Sequence, residues 1–311
     1  MSKSVLHIVF IFSFLSAFAQ QNLVPNGSFE EYYNCPLGIA DFTTEAWSVP
    51  TWGTSDYFNS CNILDASVPY NFVGNQNAHN GSGYCGIGSG FEMPDPNSRE
   101  YIQVELITPL EPNKDYEFSC FVSLAESSKF CIQDIGIAFS NSPIGGNYGN
   151  EISFSDTIYN LTANFLCDTV NWVELSIIFN ANGGEKYLTI GQFKNVSDAN
   201  FLLFNPLISS YYAYYYIDDV SLIEYEFPEI PNIFSPNSDN INDLWSIELP
   251  NGYEINIFNR WGEIIDNYLI ENHNYSWDGK TEKGKDCVDG VYFYSLTKND
   301  SKKTGFIQLV R

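Results

Sequence analysis

The feature that most constrains the fold is a series of short apolar or alternating runs, each bounded by Gly, Pro, Asn or Asp. The series is clearest toward the C-terminus, in residues 255–258 and 290–296. Tyr292 and Tyr294 alternate with their neighbours, so one face of that run can be buried. Such runs between turn-forming residues are typical of short strands, and residues 230–311 show no helical periodicity. This segment therefore predicts a small Ig-like β-sandwich.

The same pattern extends over residues 20–225. Short strands are predicted at 101–106, 115–124, 130–139, 172–180 and 187–193. Glycine-containing turn signals separate several of them. Many short strands at this spacing predict an antiparallel sandwich of the jelly-roll kind. We therefore expect an all-β chain, with an N-terminal jelly-roll β-sandwich followed by the smaller sandwich.

The N-terminus has the three parts of a secretory signal peptide. Lys3 supplies the charge, residues 5–18 form the apolar run, and Ala17-Phe-Ala19 is a small-residue cleavage site. We expect residues 1–19 to be removed during export, and no transmembrane anchor in the mature chain, because no later run approaches a membrane-spanning length. Residues 226–231 contain two prolines and are predicted to be a stiff linker between a domain at 20–225 and one at 232–311.

The charge balance restricts the partners. The formal net charge is -24, so the phosphates of nucleic acid would repel the chain. Anionic lipid surfaces are disfavoured for the same reason.

Five blocks near the C-terminus, at 234–243, 258–263, 277–279, 290–294 and 305–311, resemble the gliding motility-associated C-terminal domain. This is the type B sorting domain of the type IX secretion system of Bacteroidetes. The resemblance implies export by the type IX machinery with a cognate outer-membrane partner. Ser238 and Asn240 stand where the family commonly has Gly, which affects the first turn. The motif residues are Asn259, Arg260, Trp261, Gly262, Trp277, Asp278, Gly279 and Arg311.

The two ends of the N-terminal domain carry a second resemblance. The opening Asn26-Gly-Ser-Phe-Glu30 and the closing Ile217-Asp-Asp-Val220 resemble carbohydrate-binding jelly rolls of the galactose-binding-like superfamily. The resemblance implies that both ends join one sheet around a structural Ca²⁺. Glu30 and Asp218 would be its carboxylate ligands, with backbone carbonyls completing an oxygen shell. Alternatively, Glu30 is a surface charge and Asp218 belongs to an ordinary strand end.

Residues 32–100 are rich in aromatic and turn-forming residues, and aromatic side chains on loops can stack on sugar rings. The expected ligand-binding residues are Trp47, Trp52 and Tyr57. The alternative is that these side chains fill the core beneath long loops.

Seven cysteines are present in a chain predicted to enter an oxidising compartment. Because the number is odd, at least one is free or pairs with another molecule. Cys120 and Cys131 flank a predicted hairpin and could pair across it. Cys35 and Cys61 could staple the first long loop. Neither pairing follows from the sequence alone.

No nucleophile elbow, zinc-binding helix or phosphate loop occurs in the sequence. We therefore expect a secreted or cell-surface non-enzymatic protein whose N-terminal module binds carbohydrate. The first alternative is a structural or adhesin-like surface protein that makes protein contacts. A hydrolase, acting on glycans through paired carboxylates, is the third.

Overall fold

The computed structural model describes residues 20–93, 98–145, 152, 158–162, 164–249, 252–270, 274–298 and 301–311. The predicted signal peptide, residues 1–19, lies outside the described residues. Every regular element in the described part is a β-strand, which confirms the all-β prediction. No helix in that part is long and apolar enough to cross a membrane.

The described residues of the N-terminal unit form fourteen strands. They are β1 (Trp47–Ser48), β2 (Asp56–Asn59), β3 (Tyr70–Asn71), β4 (Gly74–Asn75), β5 (Gly83–Gly90), β6 (Tyr101–Glu105), β7 (Asp115–Leu124), β8 (Phe130–Ile132), β9 (Ile135–Ser140), β10 (Ile158–Asn160), β11 (Val173–Asn180), β12 (Tyr187–Gln192), β13 (Phe201–Leu203) and β14 (Tyr212–Glu224).

Ten of these strands form two five-stranded antiparallel sheets, with the orders β1-β6-β12-β9-β10 and β11-β7-β14-β5-β2. The short pairs β3-β4 and β8-β13 lie outside them. Apolar side chains between the two sheets form the main core, among them Phe118, Val122, Ile137, Leu188 and Ile217. The predicted N-terminal β-sandwich is confirmed.

The two ends of this unit meet, but they do not both join one sheet, as the second resemblance implied that they would. The Leu23 amide donates to the Leu222 carbonyl at 2.7 Å, and the Val220 amide donates to the Gly27 carbonyl at 2.8 Å. The Asn22 side chain also bonds the backbone of β14, at Val220 and Leu222. The opening segment lies along β14 through these bonds without forming a strand there.

The outer face of the sheet β11-β7-β14-β5-β2 carries its own aromatic layer. Along β14, Ala213, Tyr215 and Ile217 point into the main core, whereas Tyr214 and Tyr216 point to the opposite face, as the two-residue period of a strand requires. Those two tyrosines pack with Phe58 and Tyr84, and with Ala66 and Val73 from the segment between β2 and β5. That segment therefore covers part of the outer face.

Where the structure describes the C-terminal unit, it shows seven strands: β15 (Ile233–Phe234), β16 (Trp245–Glu248), β17 (Glu254–Phe258), β18 (Ile264–Leu269), β19 (Asn274–Trp277), β20 (Gly290–Lys298) and β21 (Ser301–Leu309). A five-stranded sheet, β15-β21-β20-β17-β18, packs on the pair β16-β19. Its core includes Trp245, Trp277, Tyr253, Ile255 and Leu309. The small sandwich is confirmed.

The first turn of this unit has left-handed backbone at the positions where glycine is common in the related family. Ser238 and Asn240 both have a φ of 67°. Side chains other than glycine adopt this region at a cost, and asparagine tolerates it better than serine. The turn keeps its shape because the Asp243 carboxylate accepts the amides of Asn237, Ser238 and Asn240.

Two disulfides are formed, Cys35–Cys61 and Cys131–Cys167. The predicted pairing of Cys120 with Cys131 is wrong. Strand β7, which carries Cys120, pairs with β11 and β14. The Cys120 thiol is fully buried in the main core. Cys131 lies on β8, which pairs with β13 instead. Cys85, Cys120 and Cys287 remain free and buried.

Candidate functional site

A cavity of about 210 Å³ opens on the outer face of the sheet β11-β7-β14-β5-β2. Strands β2, β5 and β14 contribute to its walls, together with the segments that precede β1, β2, β5, β6 and β14. The lining residues that matter for its chemistry are Asp56, Phe72, Gly88, Glu100, Tyr212 and Tyr214. We call this space the outer-face cavity.

The glycines of β5 form the base of the site. Cys85 and Ile87 point into the main core, so Gly86 and Gly88 face outward. A methyl group on Gly86 would overlap the Tyr214 hydroxyl and lie 2.7 Å from Phe58 Cε2. On Gly88 it would lie 3.1 Å from Glu100 Oε2. The missing side chains therefore let Tyr214 and Glu100 lie close over the strand.

Asp56 is almost fully buried, with 3% of its surface exposed. Its Oδ1 accepts the Ala40 amide at 2.5 Å, and its Oδ2 accepts the Tyr214 hydroxyl. Burial raises the pKa of Asp56, because water no longer stabilises the charged form. The pKa of Tyr214 is raised too, first by burial and then by the Asp56 charge.

Glu100 is the second carboxylate in the cavity. Its Oε1 accepts the Thr54 amide at 3.0 Å and the Thr54 hydroxyl at 2.9 Å. Its Oε2 accepts the Gly88 amide at 2.6 Å. Burial is the main cause that raises its pKa to about 7, and the charge of Asp56 adds to the shift. The charges of Asp56 and Glu100 therefore interact within the cavity.

Aromatic rings stand beside these acceptors. Phe72 and Tyr214 have ring centroids 6.1 Å apart at 79°, and Tyr212 packs on Tyr214 at 6.3 Å. Apolar walls with a few fixed polar groups are the usual composition of a small-molecule site. Carboxylate oxygens accept hydroxyl hydrogens, and ring faces offer contact area, so the cavity can hold a polyhydroxylated ligand.

Two of the three predicted ligand-binding residues are wrong, because they belong to the core. Trp47 is 6% exposed, packs on Phe29 at 5.0 Å and donates its Nε1–H to the Asn26 carbonyl. Tyr57 is fully buried, and its hydroxyl donates to the Phe29 carbonyl at 2.8 Å. Neither ring can face a ligand.

Trp52, the third, is 72% exposed. It lies two residues before Thr54, which lines the outer-face cavity and bonds Glu100. Trp52 itself is not among the residues that line the cavity, and its role in binding stays a prediction. Asp56, Glu100, Tyr212 and Tyr214 are not among the residues predicted from the sequence. The Gly-x-Gly of β5 and the Tyr-x-Tyr of β14 are signals that could have indicated the tyrosines, whereas no local pattern marks Asp56 or Glu100.

Glu30 and Asp218, the residues expected to hold calcium, both accept hydrogen bonds from the loop at residues 79–83. Glu30 accepts the amides of Ser82 and Gly83 at 2.8 and 2.9 Å. Asp218 accepts the amides of His79 and Asn80 at 2.9 and 3.3 Å. Burial raises the pKa of Asp218 to about 8, and the neighbouring charge of Asp219 adds to the shift.

Both carboxylates therefore bond to the backbone of residues 79–83, Asp218 at His79 and Asn80 and Glu30 at Ser82 and Gly83. The groups that bond to them are amide and hydroxyl donors. In the described part of the chain no three His, Cys, Asp or Glu side chains are grouped to hold a metal. Each carboxylate keeps one oxygen with a single donor, Oε2 of Glu30 and Oδ1 of Asp218. The calcium site stays a prediction.

In the C-terminal unit, the motif around Trp261 is a tight turn. Asn259 Oδ1 accepts the amides of Trp261 and Glu263, and its Nδ2 donates to the Glu263 carboxylate at 2.7 Å. Gly262 has a φ of 81°, which favours glycine. Trp261 is left 80% exposed, with the Arg260 guanidinium 6.0 Å from its ring.

The other motif residues meet at the end of β21. Arg311 donates to the carbonyls of Cys287 and Gly279, at 2.6 and 3.3 Å. The buried Trp277 donates its Nε1–H to the Lys280 carbonyl at 2.7 Å, and Asp278 accepts the Lys280 amide at 3.0 Å. Blocks that are separate in the sequence are thus joined around one turn.

The chain is similar to several solved structures, each at low sequence identity. A structure described as the CBM22-1 xylan-binding domain from Paenibacillus barcinonensis Xyn10C is 14% identical, with a TM-score of 0.38, over 68% of this chain and 100% of that one. The tandem CBM22-1-CBM22-2 domain of the same protein is 11% identical, with a TM-score of 0.41, over 94% and 87%. One described as Family 16 Carbohydrate Binding Module-2 is 14% identical, with a TM-score of 0.33, over 65% and 100%.

Among curated proteins, none matches the sequence of the chain. The C-terminal unit does match a family. Residues 228–309 fit the family described as CHU_C Type IX secretion signal domain. That match confirms the first resemblance. A type IX secretion signal implies export to the cell surface or the extracellular space and interaction with the secretion machinery. Residues 228–309 of this chain are a type IX secretion signal domain.

Proposed function

We propose that the N-terminal unit is a carbohydrate-binding module, carried to the outside of the cell by the type IX secretion signal domain. The outer-face cavity is the observation that carries the proposal, because it combines two carboxylate acceptors with aromatic walls. Its volume of about 210 Å³ is below the range of about 300–1,000 Å³ that is usual for drug-sized ligands. A single sugar ring or the end of a glycan chain suits that size.

The aromatic walls support sugar binding in a specific way. Tyr212 is only half-buried on the rim of the cavity, so its ring can contact a sugar face. Phe72, which also lines the cavity, is 42% exposed. Asp56 and Glu100 lie deeper and are held in place by amide and hydroxyl donors. A sugar ring would place its apolar face on the aromatic side chains and its hydroxyls toward the carboxylates.

We infer binding without hydrolysis. Glycoside hydrolysis needs one carboxyl group free to donate a proton and a second free to act as base or nucleophile. In this cavity each carboxylate oxygen already accepts at least one hydrogen bond from the protein. Prolonged incubation with any bound oligosaccharide should therefore release no reducing sugar.

The proposal includes a cognate outer-membrane partner for the secretion signal domain. The exposed ring of Trp261, in a turn fixed by Asn259, supports it, because a rigid exposed aromatic side chain is a common anchor in protein interfaces.

A glycan array with the mature chain tests the function. We expect the wild type to bind a restricted set of glycans and Tyr212→Ala to lose about tenfold or more in affinity, corresponding to about 1–3 kcal/mol for stacking on an aromatic ring. Tyr70→Ala is the matched control, since Tyr70 is 70% exposed and does not line the cavity. An array without binding, or equal losses in both variants, would contradict the proposal.

A further inference from the structure

We propose that the outer-face cavity selects uncharged, hydroxyl-rich glycans and rejects glycans that bear carboxylate or sulfate groups at the bound ring. The proposal rests on the carbohydrate-binding function proposed above and names the class of glycan. The charge and the hydrogen-bonding capacity of the lining carry it.

The charge of the lining is negative without compensation. Asp56 and Glu100 are its two acidic residues, and no Lys, Arg or His is among the described residues that line the cavity. The segment 94–97, which lies outside the described residues, has the sequence Pro-Asp-Pro-Asn and adds no cation. An anionic sugar would therefore meet like charge in a partly desolvated site, where Coulomb repulsion is stronger than in water.

Two basic residues adjoin the lining, Arg99 next to Glu100 in the chain and Lys129 through the bond from its amide to the Tyr212 carbonyl, and the side chains of both are engaged elsewhere. Arg99 precedes Glu100, but its guanidinium donates to the carbonyls of Gly90 and Ser98, each at 2.7 Å, and to the carbonyl of Lys194 at 3.0 Å. It is fully buried. Lys129 pairs with the Glu92 carboxylate at 2.5 Å. Recruiting either cation to an anionic ligand would break these bonds.

The hydrogen-bonding groups of the lining also favour uncharged, hydroxyl-rich glycans. An ionised carboxylate only accepts hydrogen bonds, with about four lone-pair positions on its two oxygens. Asp56 has one donor on each oxygen, and Glu100 has two donors on Oε1 and one on Oε2. Three of about eight positions therefore remain for a ligand that donates. Sugar hydroxyls donate, whereas carboxylate and sulfate groups accept.

The test compares matched glycans by titration calorimetry of the mature chain at pH 8, above the pKa of about 7 of Glu100. The probes are oligomers of glucose, galactose, xylose and N-acetylglucosamine, and oligomers of glucuronic and galacturonic acid. We expect at least one neutral probe to bind, and its acidic counterpart to bind about tenfold or more weakly. Added salt should reduce the difference in affinity between neutral and acidic probes for the wild type, since ions screen the repulsion.

Variants that replace one glutamate by glutamine show which negative charge causes the difference in affinity. Glu100→Gln should narrow the difference between neutral and acidic probes, while Glu105→Gln should leave it unchanged. Glu105 is exposed on β6 of the other sheet, so its replacement removes the same charge away from the cavity. Melting curves establish that each variant folds, and the salt series on the wild type gives the same information without a variant.

The outcomes separate the two proposals. If an acidic oligomer binds as tightly as its neutral counterpart, and Tyr212→Ala abolishes both, the cavity binds carbohydrate but the selectivity is overturned. If no oligomer and no array glycan binds, the carbohydrate-binding function fails and the selectivity with it. If the difference persists in Glu100→Gln and in high salt, the repulsion does not come from this site.

Discussion

The hydroxyl of Tyr214 donates a hydrogen bond to the carboxylate of Asp56, 158 residues earlier in the chain. The two residues lie on β14 and β2, and β5 runs between these strands. Gly86 of β5 pairs with Asp56 on one side and with Tyr216 on the other. The Tyr214 side chain therefore reaches across β5 at the point where β5 has no side chain on its outer face.

Gly86→Ala should disturb this bond. The added methyl would overlap the Tyr214 hydroxyl and lie 2.6 Å from its Cε1, so the ring must move. Overpacking of this kind costs about 1–3 kcal/mol, and we expect a lower melting temperature together with loss of glycan binding. Gly38→Ala is the control, because nothing lies within 4 Å of its added Cβ. Equal melting temperatures for the two variants would mean that Tyr214 is not held over Gly86.

The two tryptophans near the start of the chain should behave in opposite ways. Trp47→Ala empties a site in the main core and should cost about 3–5 kcal/mol of unfolding free energy. Trp52→Ala removes an exposed side chain and should change stability by about 0.5 kcal/mol or less. Urea unfolding measures both. A Trp52 variant that keeps its stability but binds glycan more weakly would place Trp52 at the ligand, whereas unchanged binding would exclude it.

The buried face of β20 could be predicted from the sequence, whereas the orientation of the side chains in β2 could not, for a physical reason. In β20, Tyr292 and Tyr294 are buried and alternate with exposed residues, because one face of the sheet is open to water. In β2 all four residues are buried. Tyr57 faces the main core, and Phe58 faces the covered outer side. No polar alternation marks the two faces there, so the inward position of Tyr57 could not be read from the sequence.

The outer-face cavity depends on contacts that are distant in the sequence. The segment between β2 and β5 folds back over the sheet, where Phe72 reaches Tyr214. Nothing local to Phe72 specifies that partner. The same holds for Cys131, which pairs with Cys167 across 36 residues because β8 and the loop carrying Cys167 come together. The motifs of the C-terminal unit were recognisable because they are contiguous and occur in a fixed order.

The stability of the calcium-free protein should rise as the pH falls from 8 to 5. The folded-state pKa of Asp218, about 8, lies above the usual value of about 3.9 in an unfolded chain. The folded state therefore binds a proton that the unfolded state lacks in this window, and acidification favours folding. Glu100, with a pKa of about 7, acts in the same direction. Melting temperatures measured in chelator should show this trend, and Asp218→Asn should flatten it. A wild type that is less stable at pH 5 than at pH 8 would contradict it.

Calcium binding at Asp218 should also stabilise the folded state, in this case at high pH. If Glu30 and Asp218 share an ion, millimolar Ca²⁺ at pH 8 should stabilise the folded state by RT ln(1 + [L]/Kd), about 2.7 kcal/mol at a hundredfold excess over Kd. Glu30→Gln and Asp218→Asn should each abolish the rise in melting temperature. Glu31→Gln is the control, since Glu31 is exposed beside Glu30. If the wild type melts alike in Ca²⁺ and in chelator, these residues hold no calcium.

Export should require the C-terminal unit, and within it the exposed turn at Trp261. Removal of residues 229–311 should leave the N-terminal unit in the periplasm of a host with a type IX system, because the matched signal lies at 228–309. Trp261→Ala should keep the melting temperature, since the side chain is 80% exposed, but should reduce the amount that reaches the surface or the medium. Gly279→Ala is the contrasting variant: its added Cβ would lie 2.8 Å from Leu309 Cδ1, on a backbone with a φ of 77°, so it should lower stability and export together. Immunoblots of cell fractions measure the distribution. Normal export of the truncated chain would refute the sorting role, and normal export of Trp261→Ala would show that the machinery reads another part of the domain.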